Sequence, residues 1–572
     1  MVLIVSCAVL AYSNTFDSPF LFDDNPTIVD SDLVRGQEVF SGTEAVKGRR
    51  YLGFLTFALN YAVHELDVTG YHVVNLAIHI INAYLVYLLV LLTLRTPRMR
   101  NGTGNTSQFV SFLPLGAALL FVSHPLQSQA VTYIAQRFAS LATLFYLLCL
   151  VLYIRSRLSE NNAPRYTLYA LSLLSAVCAM KTKEISFTLP VIIALYELLF
   201  FQGKAAKRIL RMVPFLLTML IIPLSLIGID KPIGEVIGDV SEATKVQTSL
   251  SRWEYLMTQF RVIMTYIRLV FVPVNQNLDY DYPVSRTFFD PNVVLSFLFL
   301  ASLFGTAVYL LYKSRIPNHK SPDTHYRLIS FGIFWFFITL SVESSLIPIV
   351  DVIFEHRMYL PAVGVCVGFS TVMIVILEKY RDKRWLRRSI MASFIVVVVV
   401  LTGTTYARNR VWKSEMTLWE DVVSKSPQKS RGYNNVAEAY IHNRKYNEAY
   451  RSLSKALEIR PLYPEALNNM GMVYNSWGQK EKALEYYSRS LRLDPRAVEI
   501  HINIGFLFLS RGDIDKSIYH LESAVGLNPY NAKAHLNLGI AYKKKGLVLK
   551  AKEQYRLARS LDPKLFGMRS SH

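Results

Sequence analysis

Cysteine is scarce, with four residues in a chain of 572. Cys7, Cys149, Cys178 and Cys366 each lie in an apolar stretch, with no CxxC pair and no partnering histidine. That argues against a disulfide scaffold and against a structural zinc site. Charge is sparse too, at 18% of residues, and acids are the scarcer sign: Asp+Glu 42 against Lys+Arg 62, a formal net charge of +20. A soluble chain so basic would point to nucleic acid. With 52% hydrophobic residues and a mean hydropathy of +0.26, that is not the first reading. The apolar residues come in long runs, with Lys and Arg held between them, the pattern of a membrane protein. Almost no carboxylate falls in the middle of a run, where a proton or ion transporter would need one. No nucleotide-sugar signature is visible either.

The apolar runs stop near Ala407, and a repeat begins. Prolines fall at 427, 461, 495, 529 and 563, each step equal to 34 residues. Gly471, Gly505 and Gly539 keep that step, as do Gly478, Gly512 and Gly546. Small residues recur at Ala449, Ala483, Ser517 and Ala551, and at Ala456, Ser490, Ala524 and Ala558. Small side chains where two helices cross, with proline closing the second, define the tetratricopeptide repeat (TPR). The stretch "ALNNMGMVYNSWGQKEKALEYYSRSLRLDP" carries nearly every expected position, whereas the first copy has Ala437 and Arg444 in place of glycines. The expectation is an all-α chain: a polytopic transmembrane domain over 1–407, a linker and capping helix over 408–429, four TPRs over 430–565 and a tail over 566–572.

A membrane span needs ~20 apolar residues. Candidates are 71–94, 109–124, 128–154, 166–180, 185–201, 209–229, 291–312, 327–349, 357–377 and 389–406, with a short apolar segment at 1–13. No basic region precedes that segment and no A-x-A site follows, so either the true start lies upstream or the helix is cut short, and a cleaved signal is disfavoured. Basic loops at 95–100, 155–165, 203–211, 313–320 and 379–388 all fit the cytoplasm if segment 251–274 does not cross. That segment carries Arg252, Glu254, Arg261 and Arg268, and reads as helices lying at the outer interface. The count is then about eleven spans with the N-terminus inside. Outer loops run over 14–70, 230–290 and 341–356, and the TPRs lie outside. The sequons at Asn101 and Asn105 fall on the cytoplasmic side and read as coincidental.

Four polar groups of residues sit at outer membrane boundaries. In "FLFDDNP", Asp23 and Asp24 could deprotonate an acceptor hydroxyl, hold a cation or cap a turn. In "SHPLQSQAVTYIAQRFASLA", His124 suits a backbone-bonded turn, while Arg137 must face a bundle interior or a polar cavity. "MKTKEISFTLP" places Lys181, Lys183 and Glu184 on the side that disfavours lysine, so either an anion sits there or the chains snorkel. "VDVIFEHRMYLP" carries Asp351, Glu355, His356 and Arg357, as charge for a ligand or as a Glu–Arg staple between helices. Together, carboxylates and cations at one membrane face suit a lipid-linked phosphate leaving group and a hydroxyl acceptor. Arg137, Lys183, His356 and Arg357 are the expected phosphate ligands, with His124, Glu184 and Glu355 as further site candidates. The run "LDYDYP" at 278–283 is a candidate lining for a sugar pocket. Asn435, Asn469, Asn503 and Asn537, spaced by 34, form a ladder on the TPR concave face suited to an extended acceptor peptide.

These motifs, in order with "YHVVNLAIHIINAYLVYLL", "KTKEISFTLP", "FEHRMYLPAVG" and "RNRVWKSEMTLWEDVVSKSP", resemble the transmembrane and TPR-containing O-mannosyltransferase-like family of the GT-C class. The resemblance covers nearly the whole chain. It implies a GT-C-type helical domain and inverting transfer from a polyprenyl-phosphate sugar to a hydroxyl, protein Ser or Thr, on the non-cytoplasmic side. It maps the family's acidic pair onto Asp23 and Asp24, and the segment after its His-Pro turn onto His124 and Arg137. Where eukaryotic members carry "GRAD", this chain has "QRFA", with Ala139 in place of the acid, which points to a bacterial member and an undecaprenyl carrier. The implied partners are the lipid-phosphate sugar donor, an acceptor polypeptide at the TPRs and membrane lipid, with no nucleic acid. No cofactor is certain, no metal ligand is assigned and a divalent metal stays open. The implied place is a bacterial inner membrane with periplasmic TPRs, or the ER lumen in a eukaryote. The competing class is a non-enzymatic membrane-anchored TPR scaffold for envelope protein assembly.

Overall fold

In the computed structural model the described residues are 1–36, 48–100, 110–227, 250–316, 323–345, 347–562 and 565. Asn101, Asn105, Pro563, the tail from 566, and parts of the outer loops 14–70 and 230–290 lie outside them. The described residues are helical, with no strand among them. The chain divides into two units, Met1–Leu418 and Trp419–His572.

The first unit is built on two long helices, Val68–Leu94 and Arg137–Leu158. They run side by side: Asn75 donates to Val131 O near one end, and Asn82 donates to Ser140 O further along. Leu113–Ser123, Asn162–Met180 and the pair Asp323–Leu340 and Pro361–Lys379 pack around them. The last pair touches through glycine. A Cβ on Gly332 or Gly364 would lie 2.5 Å from the other's carbonyl oxygen, so this crossing requires small residues.

Six described helices are long and apolar enough to cross a bilayer: Val68–Leu94, Ile134–Leu158, Ala205–Ser225, Pro291–Lys313, Pro361–Lys379 and Arg384–Lys413. Val110–Ser123 with Pro125–Val131, bent by 54°, is a seventh if counted as one span. Pro291–Lys313 and Arg384–Asn409 expose Leu295, Leu298, Ile395, Val396 and Val399, an outward apolar surface that suits lipid. Fewer helices pass this test than the about eleven expected, because several apolar runs are broken by local geometry. Run 185–201, for instance, becomes a 3₁₀ turn at Glu184–Thr188 followed by a 12-residue helix, Leu189–Phe200. Segment 251–274 is one helix, Arg252–Phe271, started by a capping box between Ser251 and Glu254. It buries Tyr255, Thr258, Val262, Tyr266 and Leu269, a helical stripe.

The second unit pairs Ser430–His442 with Tyr446–Ile459, Pro464–Ser476 with Lys480–Leu493, Val498–Arg511 with Ile514–Leu527, and Ala532–Lys544 with Val548–Leu561. The phased glycines stand where helices cross: a Cβ on Gly471 would meet the Tyr487 ring at 2.6 Å, and one on Gly505 would meet Leu521 at 2.6 Å. The second glycine series ends the first helix of each pair in left-handed backbone, as at Gly512 with φ 87°. In the first repeat Arg444 takes that conformation, at φ 58°, without glycine's steric freedom.

Candidate functional site

The acidic pair is held by backbone. Phe22 is left-handed, at φ 51°, a costly choice for an aromatic residue that turns the chain sharply before the two acids. Asp24 is buried; its Oδ2 accepts from Leu21 N at 2.9 Å and its Oδ1 from Ala135 N at 2.6 Å. Burial pushes its carboxyl up to about 8, against the pull of these backbone donors. Asp24 therefore ties the acidic loop to the start of helix Arg137–Leu158. Asp23 is only half-buried. Its N–H donates to the Tyr133 hydroxyl at 2.9 Å, and the Tyr133 ring stacks on Trp412, 5.3 Å between centroids. The two adjacent acids thus stand in different settings: one clamped inside, one toward the surface.

Residues 124–136 form 3₁₀ turns and a short helix, Ser128–Val131, rather than a simple tight turn. His124 takes the backbone-bonded role: Nε2 reaches Val270 O at 2.8 Å and Nδ1 accepts from Leu126 N at 3.2 Å. Arg137 is fully buried and faces the bundle. Its Nε donates to Asn75 Oδ1 at 2.6 Å, Nη1 to Asn60 Oδ1 at 2.6 Å and to Thr56 O at 3.2 Å, and Nη2 to Tyr71 O at 3.1 Å. The guanidinium also lies over the Phe57 ring, 4.5 Å from its centroid. With its donors directed at protein acceptors, Arg137 does not fit the phosphate-binding role expected of it; it ties together the helices around the acidic loop.

The lysine turn and the Glu-His-Arg turn gather beside this segment. Arg50, also left-handed at φ 58°, grips Glu184 through Nε and Nη2, the latter at 2.9 Å. Burial works to raise the Glu184 carboxyl, but Arg50 and Lys183 together leave it below its usual range. Lys183 pairs with Glu343 at 2.9 Å. Glu355 and Arg357 do not staple to each other. Glu355 is buried and accepts from Gln276 at 2.8 Å, Asn277 N at 2.7 Å and the Tyr280 hydroxyl at 2.6 Å. The "LDYDYP" run is thereby anchored here, and Asn275, left-handed at φ 56°, aims it. Arg357 donates to Asp351 O and Val352 O. His356 N–H donates to Gln129 Oε1 at 2.7 Å, which joins the two turns. Burial, then the cations Lys183, Arg357 and Arg50, push the His356 imidazole well below its usual range, so it is neutral at pH 7.

Buried polar atoms without a hydrogen-bond partner cluster here: both amide atoms of Gln127, Nε2 of Gln129, Nδ1 of His356 and Oγ of Ser186. Orphaned polar groups in one place cost free energy and mark a site built for something polar. Among the described residues three of the five non-glycine residues with positive φ, Phe22, Arg50 and Asn275, set its loops, and such strain gathers at functional sites. An apolar groove of ≈ 450 Å³ runs along helix Pro361–Lys379, directly after the Glu-His-Arg turn, lined among others by Ile267, Phe299, Ile333, Val365, Gly368 and Phe369. Among the described residues no group of three or more His, Cys, Asp or Glu is placed to hold a metal ion. Sequence reasoning passed over Arg50, Gln127, Gln129, Tyr133, Gln276 and Glu343. Only the density of glutamine in an apolar context, "HPLQSQ", hinted at any of them.

In the second unit two members of the asparagine ladder are bonded to asparagines of the preceding repeat. Asn469 Nδ2 donates to Asn434 Oδ1 at 3.0 Å, and Asn503 Nδ2 to Asn468 Oδ1 at 2.9 Å, each between neighbouring repeats. Each of these bonds takes one of the two amide N–H donors of Asn469 and Asn503, so a peptide would have to be gripped with the second N–H and the carbonyl oxygen. Asn435 accepts from Asn434 at 3.1 Å, and Asn537 is half-buried at the matching place in the last repeat. The Asn469→Ala, Asn503→Ala double variant is expected to lower the unit's stability by about 2 kcal/mol, one modest hydrogen bond each. Acceptor-peptide affinity, read by fluorescence anisotropy, is expected to fall with it. Unchanged affinity beside a lowered melting temperature would leave these residues as struts only.

Tetratricopeptide-repeat family models match residues 429–496, 507–546 and 532–565. A protein O-mannosyl-transferase of Caenorhabditis elegans is 23% identical over 81% of this chain and 63% of its own. The protein O-mannosyl-transferase TMTC3 of Mus musculus is 25% identical over 80% of this chain and 51% of its own. TMTC2 of Homo sapiens is 30% identical over a shorter stretch, 35% of this chain and 24% of its own. These relatives are TMTC-type protein O-mannosyl-transferases, the first two matched over about 80% of this chain. The chain spans between about half and just under two thirds of the length of the first three, at 63%, 51% and 51%. Among solved structures, the crystal structure of MamA is 22% identical and covers 27% of this chain and 89% of its own, with a TM-score of 0.24.

Proposed function

We propose that this chain is a membrane glycosyltransferase of the GT-C kind that moves a sugar from a polyprenyl-phosphate donor to a Ser or Thr hydroxyl of a polypeptide. The reaction takes place at the outer face, and the TPRs present the acceptor. The observation that carries this reading is the meeting of two turns through Gln129 and His356, which brings the acidic loop and the cationic turns to one end of the first unit. Asp23 takes the proton of the acceptor hydroxyl, whose oxygen attacks the anomeric carbon from the side opposite the phosphate. The carbon–oxygen bond to phosphate breaks, and the lipid phosphate leaves with the bonding pair, so the configuration inverts. Lys183 and Arg50 keep donors beyond those given to Glu343 and Glu184, and neutral His356 has an unpaired ring nitrogen; these groups meet the departing charge.

The test is direct. Purified full chain in liposomes receives a polyprenyl-phosphate mannose carrying labelled sugar, together with a Ser/Thr-rich peptide. Label on the peptide supports the reading, and label that stays in the lipid phase with active, folded protein overturns it.

The apolar groove supports a lipid-linked donor, since its lining suits an isoprenoid chain starting beside the polar turn. Gly368 lines the groove, and an added Cβ there would meet nothing within 4 Å. Gly368→Leu is expected to raise KM for a long-chain donor about tenfold, equal to roughly two lost methylene contacts. A short-chain donor analogue is expected to react as before, and the melting temperature to hold. Equal KM values for both donors would remove the groove from the donor's path.

A further inference from the structure

Helices Val68–Leu94 and Arg137–Leu158 start at the candidate site and end together at the other face. At 1.5 Å per residue the shorter of them spans roughly 33 Å, about the thickness of a bilayer's hydrocarbon core. At those far ends lies a pocket of ≈ 470 Å³ lined by Arg95, Arg100, Arg155, Ser159, Leu92, Leu158 and Leu168. We propose that it binds the phosphodiester headgroup of an anionic phospholipid in the leaflet facing the basic loops.

Three arginines from three helix ends line one cavity, of which Arg100 has a contact elsewhere, and no carboxylate is among the lining residues. The neighbouring arginines behave differently. Arg157 and Arg208 are ion-paired to buried Glu197, Arg98 donates to Leu198 O, and Arg327 donates to Leu199 O and Ser314 O. Among the described residues the Arg95 and Arg155 side chains have neither a hydrogen bond nor an ion pair, their bonds being backbone ones. A helix C-terminus attracts a cation, which accounts for an arginine at each end, since Arg95 caps one long helix and Arg155 lies in the last turn of the other. It does not account for three of them converging on one cavity with leucines along its wall. Like charges held together call for an anion, and guanidinium suits phosphate through paired donors. The leucines give the glycerol and upper acyl region an apolar wall, which a free phosphate would not use. The inference depends on the chain's placement in a membrane and not on the sugar chemistry, so the two readings fail separately.

The test uses the full chain in nanodiscs of phosphatidylcholine with one fifth phosphatidylglycerol, released into a native mass spectrometer. Retained phosphatidylglycerol in excess over phosphatidylcholine is expected. An arginine near an anionic surface contributes about fivefold in affinity, so the Arg95→Gln, Arg155→Gln double variant is expected to retain about 25-fold less. The Arg384→Gln, Arg387→Gln variant, on another basic loop, is expected to match wild type. Equal retention of the two lipids, or equal loss in both double variants, overturns the site. Inorganic phosphate at millimolar concentration is offered to lipid-free protein in detergent as a further arm. Stabilisation by phosphate alone that depends on Arg95 and Arg155 would give the pocket to a soluble anion and overturn the lipid assignment.

Discussion

Asp23→Asn is expected to lower the turnover number for sugar transfer by about 10³-fold while leaving the melting temperature unchanged, in the range set by loss of a general base. Asparagine has the shape of the acid but cannot take up the acceptor's proton. The loop keeps the contacts that place it: the residue 23 N–H still donates to Tyr133, an amide oxygen still accepts from that hydroxyl as the carboxylate does, and the clamp comes from Asp24. Asp24→Asn is the informative comparison. Both oxygens of Asp24 accept from backbone N–H groups, so an amide there must turn its NH₂ toward one of those donors. Activity is then lost together with stability, through a loosened loop. Steady-state kinetics and thermal unfolding on the same preparations separate the two. Full turnover in Asp23→Asn would remove the base from the mechanism.

Arg137→Gln is expected to cost about 4 kcal/mol or more, because two buried side-chain amides and two carbonyls lose a donor at once and burying unpaired polar groups costs ~1–3 kcal/mol each. For a unit of this size that is a fall in Tm on the order of 5 °C, measured by size-exclusion of heated, detergent-solubilised protein. Arg137→Lys keeps the charge but not the planar fork that reaches Asn60 and Asn75 together, so an intermediate loss is expected. If both variants melted like wild type yet were inactive, Arg137 would be a ligand-binding residue after all, and its buried bonding set a secondary feature.

Much of this was legible in the residues alone. The 34-residue period of proline, glycine and alanine located the TPRs, because a repeat that crosses helices at small side chains writes the crossing into the sequence. Apolar runs separated by basic loops marked a membrane domain for the same reason of local chemistry. Motif order placed Asp23, Lys183, Glu355 and His356 among the candidates, and the fold gathers the turns that carry them. What a linear reading could not supply was which of those side chains is already answered by another part of the chain. Arg137 read as facing a bundle interior or a polar cavity and as a phosphate ligand; Asn60, Asn75, Thr56 and Tyr71 surround it. Glu355 and Arg357 read either as a staple or as charge for a ligand, and each bonds elsewhere. The asparagine ladder read as an open grip and is bonded across repeats. The inequality of Asp23 and Asp24 is likewise invisible in two identical letters, because burial and the direction of backbone N–H groups are set by segments 110 residues and more apart. Periodicity and hydropathy are local properties and survive in the sequence; the state of a charge depends on everything packed against it, which only the folded chain decides.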